Sequence, residues 1–241
     1  MLKSTLLTVR NVVFDAPYWA WSQRELRDRR AGIRSTQDAV NLVFQYQGHG
    51  FYRIMKPNQD NAEIAQLVDR VKAIQPHVIV EIGTRGGGTL FLWSQVSNAL
   101  EHLISIDLPF GIHGGGYPPQ RGKLYKAFME TCPTAKLSLL RRDSQTEATK
   151  AALSELLGGQ PIDFLFIDGD HRYAGVKKDY ALYAELVRPG GLIAFHDIRP
   201  NTFDPTIQVN QLWDELKQMG QYEEIVTEPY GGRYGIGVLT R

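Results

Sequence analysis

The sequence predicts an α/β fold with a doubly wound, mostly parallel sheet. Short apolar runs recur along the chain, and the stretches between them are long enough for helices. Continuous apolar runs of this kind are typical of parallel strands that are buried on both faces. A glycine-rich turn follows the first of these runs. The predicted strands are residues 77–83, 102–107, 136–143, 162–170 and 191–197.

Helices are predicted in the stretches between these strands. Leu, Ala and Val recur there at helical spacing, most clearly in the third and fourth stretches, and glycine or proline follows both of those. Alternation of strands with helices of this length indicates βαβ units. The predicted helices are residues 89–99, 123–130, 146–157 and 173–186.

The segments that flank the parallel strands complete the predicted sheet and its cover. Before the first strand, residues 60–75 predict an amphipathic helix that ends before Pro76. After the last parallel strand, residues 209–219 predict a helix, and residues 223–228 and 234–241 predict two strands joined by a turn. These two strands would give the parallel sheet an antiparallel C-terminal edge.

The N-terminal zone, residues 1–55, predicts a helical extension to a single domain of residues 56–241. Its apolar residues can supply the inner faces of two short helices, the second capped by Ser35 or Thr36. The extension is an inert cover for the sheet, a wall of an acceptor pocket or a contact in a homo-oligomer. The residues predicted to face inward are Trp19, Trp21, Leu26, Ile33, Val40, Val43 and Phe44.

Composition excludes several classes of function. The chain of 241 residues carries 27 Lys and Arg against 26 Asp and Glu, so no overall positive field favours nucleic acid as a partner. Cys132 is the single cysteine, which excludes an internal disulfide and a cysteine-built zinc site and fits the reducing cytoplasm. We expect neither a signal peptide nor a membrane span, since no apolar run reaches about 18 residues.

The strongest single motif is the glycine-rich turn of residues 81–89, EIGTRGGGT, where a strand gives way to a helix. Glycines at such a turn permit positive φ and let a ligand approach the backbone. The alternative is a purely structural turn. The glycine spacing differs from the G-x-G-x-x-G of dinucleotide folds, which disfavours a nicotinamide-dependent oxidoreductase.

This acid-x-Gly-x-x-x-Gly-x-Thr arrangement resembles the first motif of class I S-adenosylmethionine (SAM) dependent methyltransferases. The resemblance implies their Rossmann-like fold and SAM as cofactor, with Asp107 on the ribose hydroxyls and Asp143 and Ser144 near the adenine. Glu81 would face a donor near the methionine end of SAM, directly or through water. The resemblance makes the following residues cofactor-binding candidates: Glu81, Gly83, Thr84, Gly87, Thr89, Asp107, Asp143, Ser144 and Asp168.

Acidic and histidine residues follow the fourth and fifth predicted strands: Asp168, Asp170 and His171 after one, His196 and Asp197 after the other. The carboxyl ends of neighbouring strands share one crevice, so these groups should converge. Carboxylates packed together repel one another unless a cation or a substrate compensates. Carboxylate oxygen suits Mg²⁺ or a similar hard ion.

The same local pattern resembles metal-dependent small-molecule O-methyltransferases. That resemblance implies a divalent ion, Mg²⁺ or similar, on Asp168, His196 and Asp197. His196 departs from the carboxylate that those families carry there, and an imidazole favours softer metals. The base that takes the proton of the acceptor hydroxyl would be His171, or Asp170 as in some sugar-modifying relatives.

The whole chain also resembles bacterial proteins named cephalosporin hydroxylases, in the DGDH stretch 168–171, in residues 106–119 and in residues 231–238. The predicted function is nevertheless methyl transfer from SAM to the hydroxyl of a small molecule such as a sugar or polyketide. Residues 111–120, which include Tyr117, are either a lid over the ligands or an exposed connection. The rival hypotheses are a metal-independent methyltransferase and a non-catalytic SAM-binding protein.

Overall fold

A computed structural model describes residues 9–109, 116–227 and 234–241 of the chain. Seven strands form one sheet in the order β3-β2-β1-β4-β5-β7-β6. The first five strands are parallel, and β7 runs antiparallel to both β5 and β6. This confirms the predicted fold class. The strands are β1 (Val78–Ile82), β2 (His102–Asp107), β3 (Lys136–Arg141), β4 (Ile162–Ile167), β5 (Val187–His196), β6 (Gln221–Ile225) and β7 (Ile236–Thr240).

Helices cover both faces of the sheet, because each sheet face carries a separate cluster of buried apolar side chains. Helices α1 to α5 contribute to one cluster, and α6 to α8 to the other. The helices are α1 (Asp15–Arg30), α2 (Thr36–Gln45), α3 (Asn61–Ala73), α4 (Gly88–Trp93), α5 (Gly122–Phe128), α6 (Glu147–Leu157), α7 (Tyr173–Tyr183) and α8 (Val209–Leu216). Among the described residues, no helix is long and apolar enough to cross a membrane.

The order of the strands positions the site. The chain moves outward from β1 through β2 to β3 and then returns to place β4 on the other side of β1. In such sheets the point where the strand order reverses opens a crevice at the carboxyl ends of the strands. Here that crevice lies between β1 and β4, where the glycine-rich turn and Asp168 follow the two strands.

Two predicted boundaries differ from the structure by four residues or more, and local hydrogen bonds explain the first. Helix α4 ends at Trp93 instead of continuing to residue 99. The Ser94 hydroxyl donates to the Phe91 carbonyl (2.7 Å), and the Ser97 hydroxyl accepts from the Ala99 N–H (3.0 Å), which competes with helical bonding. Strand β5 begins four residues early, and its pairing with β4 shifts register before Leu192.

The N-terminal extension differs from its prediction in one respect. Residues 15–30 form a single helix, and Trp21 is 56% exposed, so its placement on an inner face was wrong. Leu26 and Val43 are buried as predicted, in the same cluster as α3 and α4. Ser35 caps α2 by accepting a hydrogen bond from the backbone of Asp38. The extension therefore packs against α3 and α4, within the apolar cluster on one face of the sheet.

Candidate active site

The glycine-rich turn is shaped by contacts inside the protein. Gly83 has φ of +93°, and a Cβ atom there would lie 2.1 Å from the Asp168 carbonyl oxygen. Gly87 has φ of +78°, and a Cβ atom there would lie 2.3 Å from the Tyr125 ring. Side chains are excluded at both positions by close packing. These two glycines bring the turn against the residues that follow β4 and against α5.

Side chains from outside the turn hold its peptide groups. Tyr125 donates from its hydroxyl to the Arg85 carbonyl (2.5 Å), and Arg121 donates to the Gly86 carbonyl (2.8 Å). On the opposite side, the Asp107 carboxylate accepts from the Arg85 N–H (2.6 Å). Asp107 accepts two more backbone hydrogen bonds and is 8% exposed. The turn is therefore fixed before any ligand binds.

Glu81 lies beneath this turn and is fully buried. Its carboxylate accepts hydrogen bonds from Thr84 Oγ1 (2.7 Å) and Trp93 Nε1 (2.9 Å). Burial raises the pKa of Glu81 to about 7, although hydrogen bonds from Thr89, Thr84 and Trp93 oppose that rise. Glu81 therefore stabilises the turn through these internal hydrogen bonds. Its contact with the methionine end of SAM stays a prediction.

The predicted adenine and ribose contacts lie at the carboxyl ends of neighbouring strands. Asp107 ends β2, and Asp143 and Ser144 follow β3. Asp143 is exposed, and one of its carboxylate oxygens accepts from the Gln145 N–H (2.8 Å). The Ser144 carbonyl accepts a hydrogen bond from the Tyr183 hydroxyl. These residues line the same edge of the sheet as the turn.

Four of the five acids and histidines that were predicted to converge after β4 and β5 lie together in the structure, whereas Asp170 pairs with Arg172 and Gln145. His196 Nδ1 lies 3.2 Å from Asp168 Oδ1 and 3.5 Å from Asp197 Oδ2. His171 Nδ1 lies 2.8 Å from Asp197 Oδ2, and His171 Nε2 lies 3.8 Å from Asp168 Oδ1. We call these four residues the acid–histidine cluster. Ligand atoms of Asp168, His171 and His196 all lie within 4.8 Å of one another, a spacing that can hold a metal ion.

Several polar atoms of this cluster are buried without a hydrogen-bond partner among the described residues. They are Asp168 Oδ1, Asp197 Oδ1 and both ring nitrogens of His196. His196 is 2% exposed and Asp197 is 3% exposed. Buried polar atoms are normally satisfied, so a group of them at one point is suited to binding a ligand or an ion.

The charges of the cluster are strongly coupled. Burial by itself lowers the pKa of His196, but the carboxylates of Asp168 and Asp197 outweigh it and raise that pKa to about 10. Burial also opposes ionisation of Asp197, yet the two histidines hold its pKa well below the usual range. The pKa of His171 is raised by the same carboxylates against the effect of burial. Positive charge is therefore favoured at this point.

Asp170 points to other partners. Its carboxylate accepts two hydrogen bonds from the Arg172 guanidinium and one from Gln145 Nε2 (3.1 Å). Partial burial opposes ionisation, but these hydrogen bonds lower the pKa of Asp170 to about 2. A carboxylate this acidic is a weak proton acceptor near neutral pH.

Two residues of the site were missed by the sequence analysis. Gln59 donates from Nε2 to Asp168 Oδ2 (2.6 Å), and the Tyr234 ring stacks on His196 with centroids 5.4 Å apart. Both lie outside the strand–turn–helix motifs. Gln59 precedes the helix cap Asp60, and no motif distinguishes it from a surface glutamine.

The first half of the predicted lid, residues 111–120, lies outside the described residues, which omit 110–115. Tyr117 is described and is 3% exposed. Its ring packs edge-on against Tyr125, with centroids 4.8 Å apart. Tyr117 therefore forms part of the packed wall beside the turn.

Residues 80–198 match the family model of a methyltransferase domain. This segment of the chain is similar to a methyltransferase domain. The matched segment includes the glycine-rich turn and the acid–histidine cluster, but Gln59 and Tyr234 lie outside it. Dinucleotide oxidoreduction, one of the rivals considered from the sequence, has no support in this match.

Two uncharacterized relatives resemble the chain in sequence. A protein of Acanthamoeba polyphaga mimivirus is 36% identical over 155 residues, which cover 63% of this chain and 66% of that protein. A protein of Sinorhizobium fredii is 27% identical over 175 residues, which cover 70% of this chain and 18% of that protein. The chain thus spans less than two thirds of the length of either relative.

Solved structures share the fold of the methyltransferase domain. The Bacillus cereus O-methyltransferase in complex with SAH superposes with a TM-score of 0.54 at 14% identity, covering 93% of this chain and 100% of that one. TomG of Streptomyces achromogenes, in complex with SAM, gives 0.54 at 15% identity, covering 92% and 97%. The mycinamycin methyltransferase MycE with Mg, SAH and mycinamycin VI gives 0.52 at 14% identity, covering 86% and 54%. The chain therefore shares the fold of these three proteins.

Proposed function

We propose that this protein transfers the methyl group of SAM to a hydroxyl oxygen of a small molecule, with a divalent ion held in the acid–histidine cluster. The observation that carries the proposal is the position of the cluster. Asp168 lies at the end of β4, and its carbonyl packs against Gly83 of the turn. A cofactor in the crevice and an acceptor at the cluster would therefore be neighbours.

The residues around the crevice fit SAM. When bound, SAM supplies the methyl group as a sulfonium substituent. Asp107 offers a carboxylate for the ribose hydroxyls at the end of β2, and Asp143 and Ser144 offer polar groups after β3. Gly83, Thr84, Gly87 and Thr89 form the turn that separates these groups from the cluster.

The acid–histidine cluster fits a divalent ion. The atoms proposed to hold it are one oxygen each of Asp168 and Asp197 and the imidazole of His196, none of which has a hydrogen-bond partner among the described residues. The ligand atoms that lie within 4.8 Å of one another are those of Asp168, His196 and His171. When bound, such an ion lowers the pKa of the acceptor hydroxyl and positions its oxygen. The mixed oxygen and nitrogen donors favour Mg²⁺ less strongly than carboxylates alone, and Mn²⁺ is a second candidate.

His171 is the stronger candidate for the base. Asp197 accepts from one ring nitrogen (2.8 Å), so the other nitrogen is left to take the proton of the acceptor hydroxyl. His171 is also 35% exposed at its side chain, which gives a substrate access to it. The hydrogen bonds of Asp170 to Arg172 and its low pKa argue against Asp170 in this role.

The acceptor is a hydroxylated small molecule of the sugar or polyketide type. MycE, a structural neighbour, was solved with Mg and mycinamycin VI, and TomG is involved in tomaymycin synthesis. The near-neutral chain lacks the positive field that nucleic-acid substrates require. The cephalosporin hydroxylase-like group remains the subfamily suggested by the sequence, and Cys132 as single cysteine fits action in the cytoplasm.

Titration calorimetry tests the proposal. The protein is titrated with SAM and with its demethylated product SAH, each with and without Mg²⁺. Micromolar binding of both is expected, and absence of binding under every condition would overturn the proposal. A metal-independent methyltransferase is the second candidate, because a proton on His196 can also balance the carboxylates. Methyl transfer that survives chelation with EDTA would favour it.

A further inference from the structure

The segment that precedes α3 contributes to the acid–histidine cluster from outside the matched methyltransferase domain. Gln59 ends this segment and is 5% exposed. Its Nε2 donates to Asp168 Oδ2 at 2.6 Å, and its Oε1 is buried without a partner among the described residues. A buried amide oxygen without a partner costs free energy, so other contacts must keep Gln59 in this position.

One arginine fixes the chain ahead of Gln59. The Arg121 guanidinium is 8% exposed and donates to the carbonyls of Phe51 (2.9 Å), Arg53 (2.9 Å) and Ile54 (2.5 Å). It also donates to the Gly86 carbonyl of the turn (2.8 Å). A single buried cation therefore ties the N-terminal segment to the glycine-rich turn.

The chain after Gln59 is fixed as well. The Asp60 carboxylate accepts from the Ala62 N–H (2.8 Å) and the Glu63 N–H (3.2 Å), which caps α3. Buried Glu63 in turn accepts from the Gly235 N–H (3.0 Å), next to the tyrosine that stacks on His196. Gln59 thus lies between two anchored points and is held at a defined position.

The contact with Gln59 makes the two oxygens of the Asp168 carboxylate different in their hydrogen bonding. Oδ2 accepts from the amide, whereas Oδ1 accepts no hydrogen bond from the described residues and lies 3.2 Å from His196 Nδ1. A neutral amide fixes the rotation of the carboxylate without adding charge to the cluster. Partners that orient a ligand in this way typically change metal affinity by about 10–100-fold when removed.

We infer that Gln59 is a positioning residue for the ion site: it holds Asp168 so that Oδ1 faces the ion. The inference rests on the proposed function, because it assumes that the acid–histidine cluster takes a divalent ion. It goes beyond that function by making the N-terminal segment a part of the site.

Direct binding of Mn²⁺ to the intact chain tests this inference. We compare wild type with Gln59→Leu, with the shorter Gln59→Asn and with the control Gln66→Leu. Gln66 is an exposed glutamine in the second turn of α3. Both Gln59 variants are expected to bind Mn²⁺ about 10-fold or more weakly, with SAM affinity changed less than about 2-fold. The Gln66 variant is expected to match wild type in both titrations.

The outcomes separate this inference from the proposed function. Unchanged Mn²⁺ affinity in a folded Gln59 variant overturns the role of Gln59 and leaves the methyltransferase proposal intact. Binding of SAM without any binding of Mn²⁺ by wild type overturns the ion site and the role of Gln59 together. Absence of SAM binding counts against the proposed function, whereas the Mn²⁺ titrations still decide the role of Gln59.

Discussion

The two halves of the crevice differ in how completely the protein satisfies its own polar groups. At the glycine-rich turn, Glu81 and Asp107 accept several internal hydrogen bonds each. At the acid–histidine cluster, oxygens of Asp168 and Asp197 and both nitrogens of His196 have no hydrogen-bond partner among the described residues.

This difference separates a half that is held by internal hydrogen bonds from a half whose polar atoms are available to a ligand or an ion. The turn is fixed by internal bonds and needs no ligand to hold its shape. The cluster keeps two carboxylates and two imidazoles together, which costs free energy that a bound ion or proton offsets. Changes at the turn should therefore affect folding, and changes at the cluster should affect ligand binding and turnover.

The largest effect is expected from Asp168→Ala. Ion binding should be lost, and ion-dependent methyl transfer should fall by about a thousandfold or more, since an ion contributes several kcal/mol to such reactions. SAM affinity should change by less than about threefold, and Asp214→Asn on the exposed face of α8 should behave as wild type. Calorimetry and a radiolabelled methyl assay measure both quantities; full activity in Asp168→Ala contradicts the ion site.

Gly83→Ala tests the opposite half. The new Cβ would lie 2.1 Å from the Asp168 carbonyl at a φ of +93°, so the free energy of unfolding should fall by about 3–4 kcal/mol. Gly158→Ala is the matched control, because Gly158 also has positive φ but a Cβ atom added there would have no other group within 4 Å. Its free energy of unfolding, measured in urea titrations, should fall by only about 1 kcal/mol. Equal losses in the two variants would show that packing at the turn is unimportant.

His171→Ala distinguishes a base from an ion ligand. If His171 is the base, the rate of methyl transfer should fall by about 100-fold in His171→Ala, while Mn²⁺ affinity should change by less than about threefold. The same rate should fall by less than about 10-fold in Asp170→Asn, since the Asp170 carboxylate is hydrogen-bonded to Arg172 and is not expected to act as the base. Loss of Mn²⁺ binding in His171→Ala would instead make His171 a ligand.

The smallest expected effect is a pH dependence of the free energy of unfolding, which wild type should show and Glu81→Gln should lack. The folded pKa of Glu81, about 7, lies above its ordinary value of 4.5, so folding favours the protonated form. Wild type should therefore lose stability relative to Glu81→Gln as pH rises from 5 to 7, by about 2 kcal/mol. Urea titrations at both pH values measure this. A constant difference between the two proteins would mean that Glu81 is ionised throughout.

The fold could be predicted largely from local pattern. Apolar runs with helical stretches between them specify a parallel sheet with little ambiguity, and each of the five parallel strands overlaps its predicted segment. The end of α4 could not be predicted, because serine side chains compete with the helix there. Trp21 was misplaced because a scattered apolar pattern does not fix which face of α1 is buried.

The site could be predicted only where motifs mark the ends of strands. Asp168, His171, His196 and Asp197 were expected to converge because neighbouring strands end at the same edge. Gln59 comes from a segment without regular structure, and its position depends on Arg121, far away in sequence. Contacts of that kind follow from tertiary packing, which no local spacing encodes.

The central claim is that SAM and a divalent ion bind next to each other between the turn and the acid–histidine cluster. A crystal structure of the protein with SAH and Mn²⁺ tests it most directly, because Mn²⁺ is located by its anomalous scattering. We expect SAH in the crevice between β1 and β4, and an anomalous peak within coordination distance of Asp168 and His196. SAH bound elsewhere, or a cluster without an anomalous peak at saturating Mn²⁺, would contradict the claim.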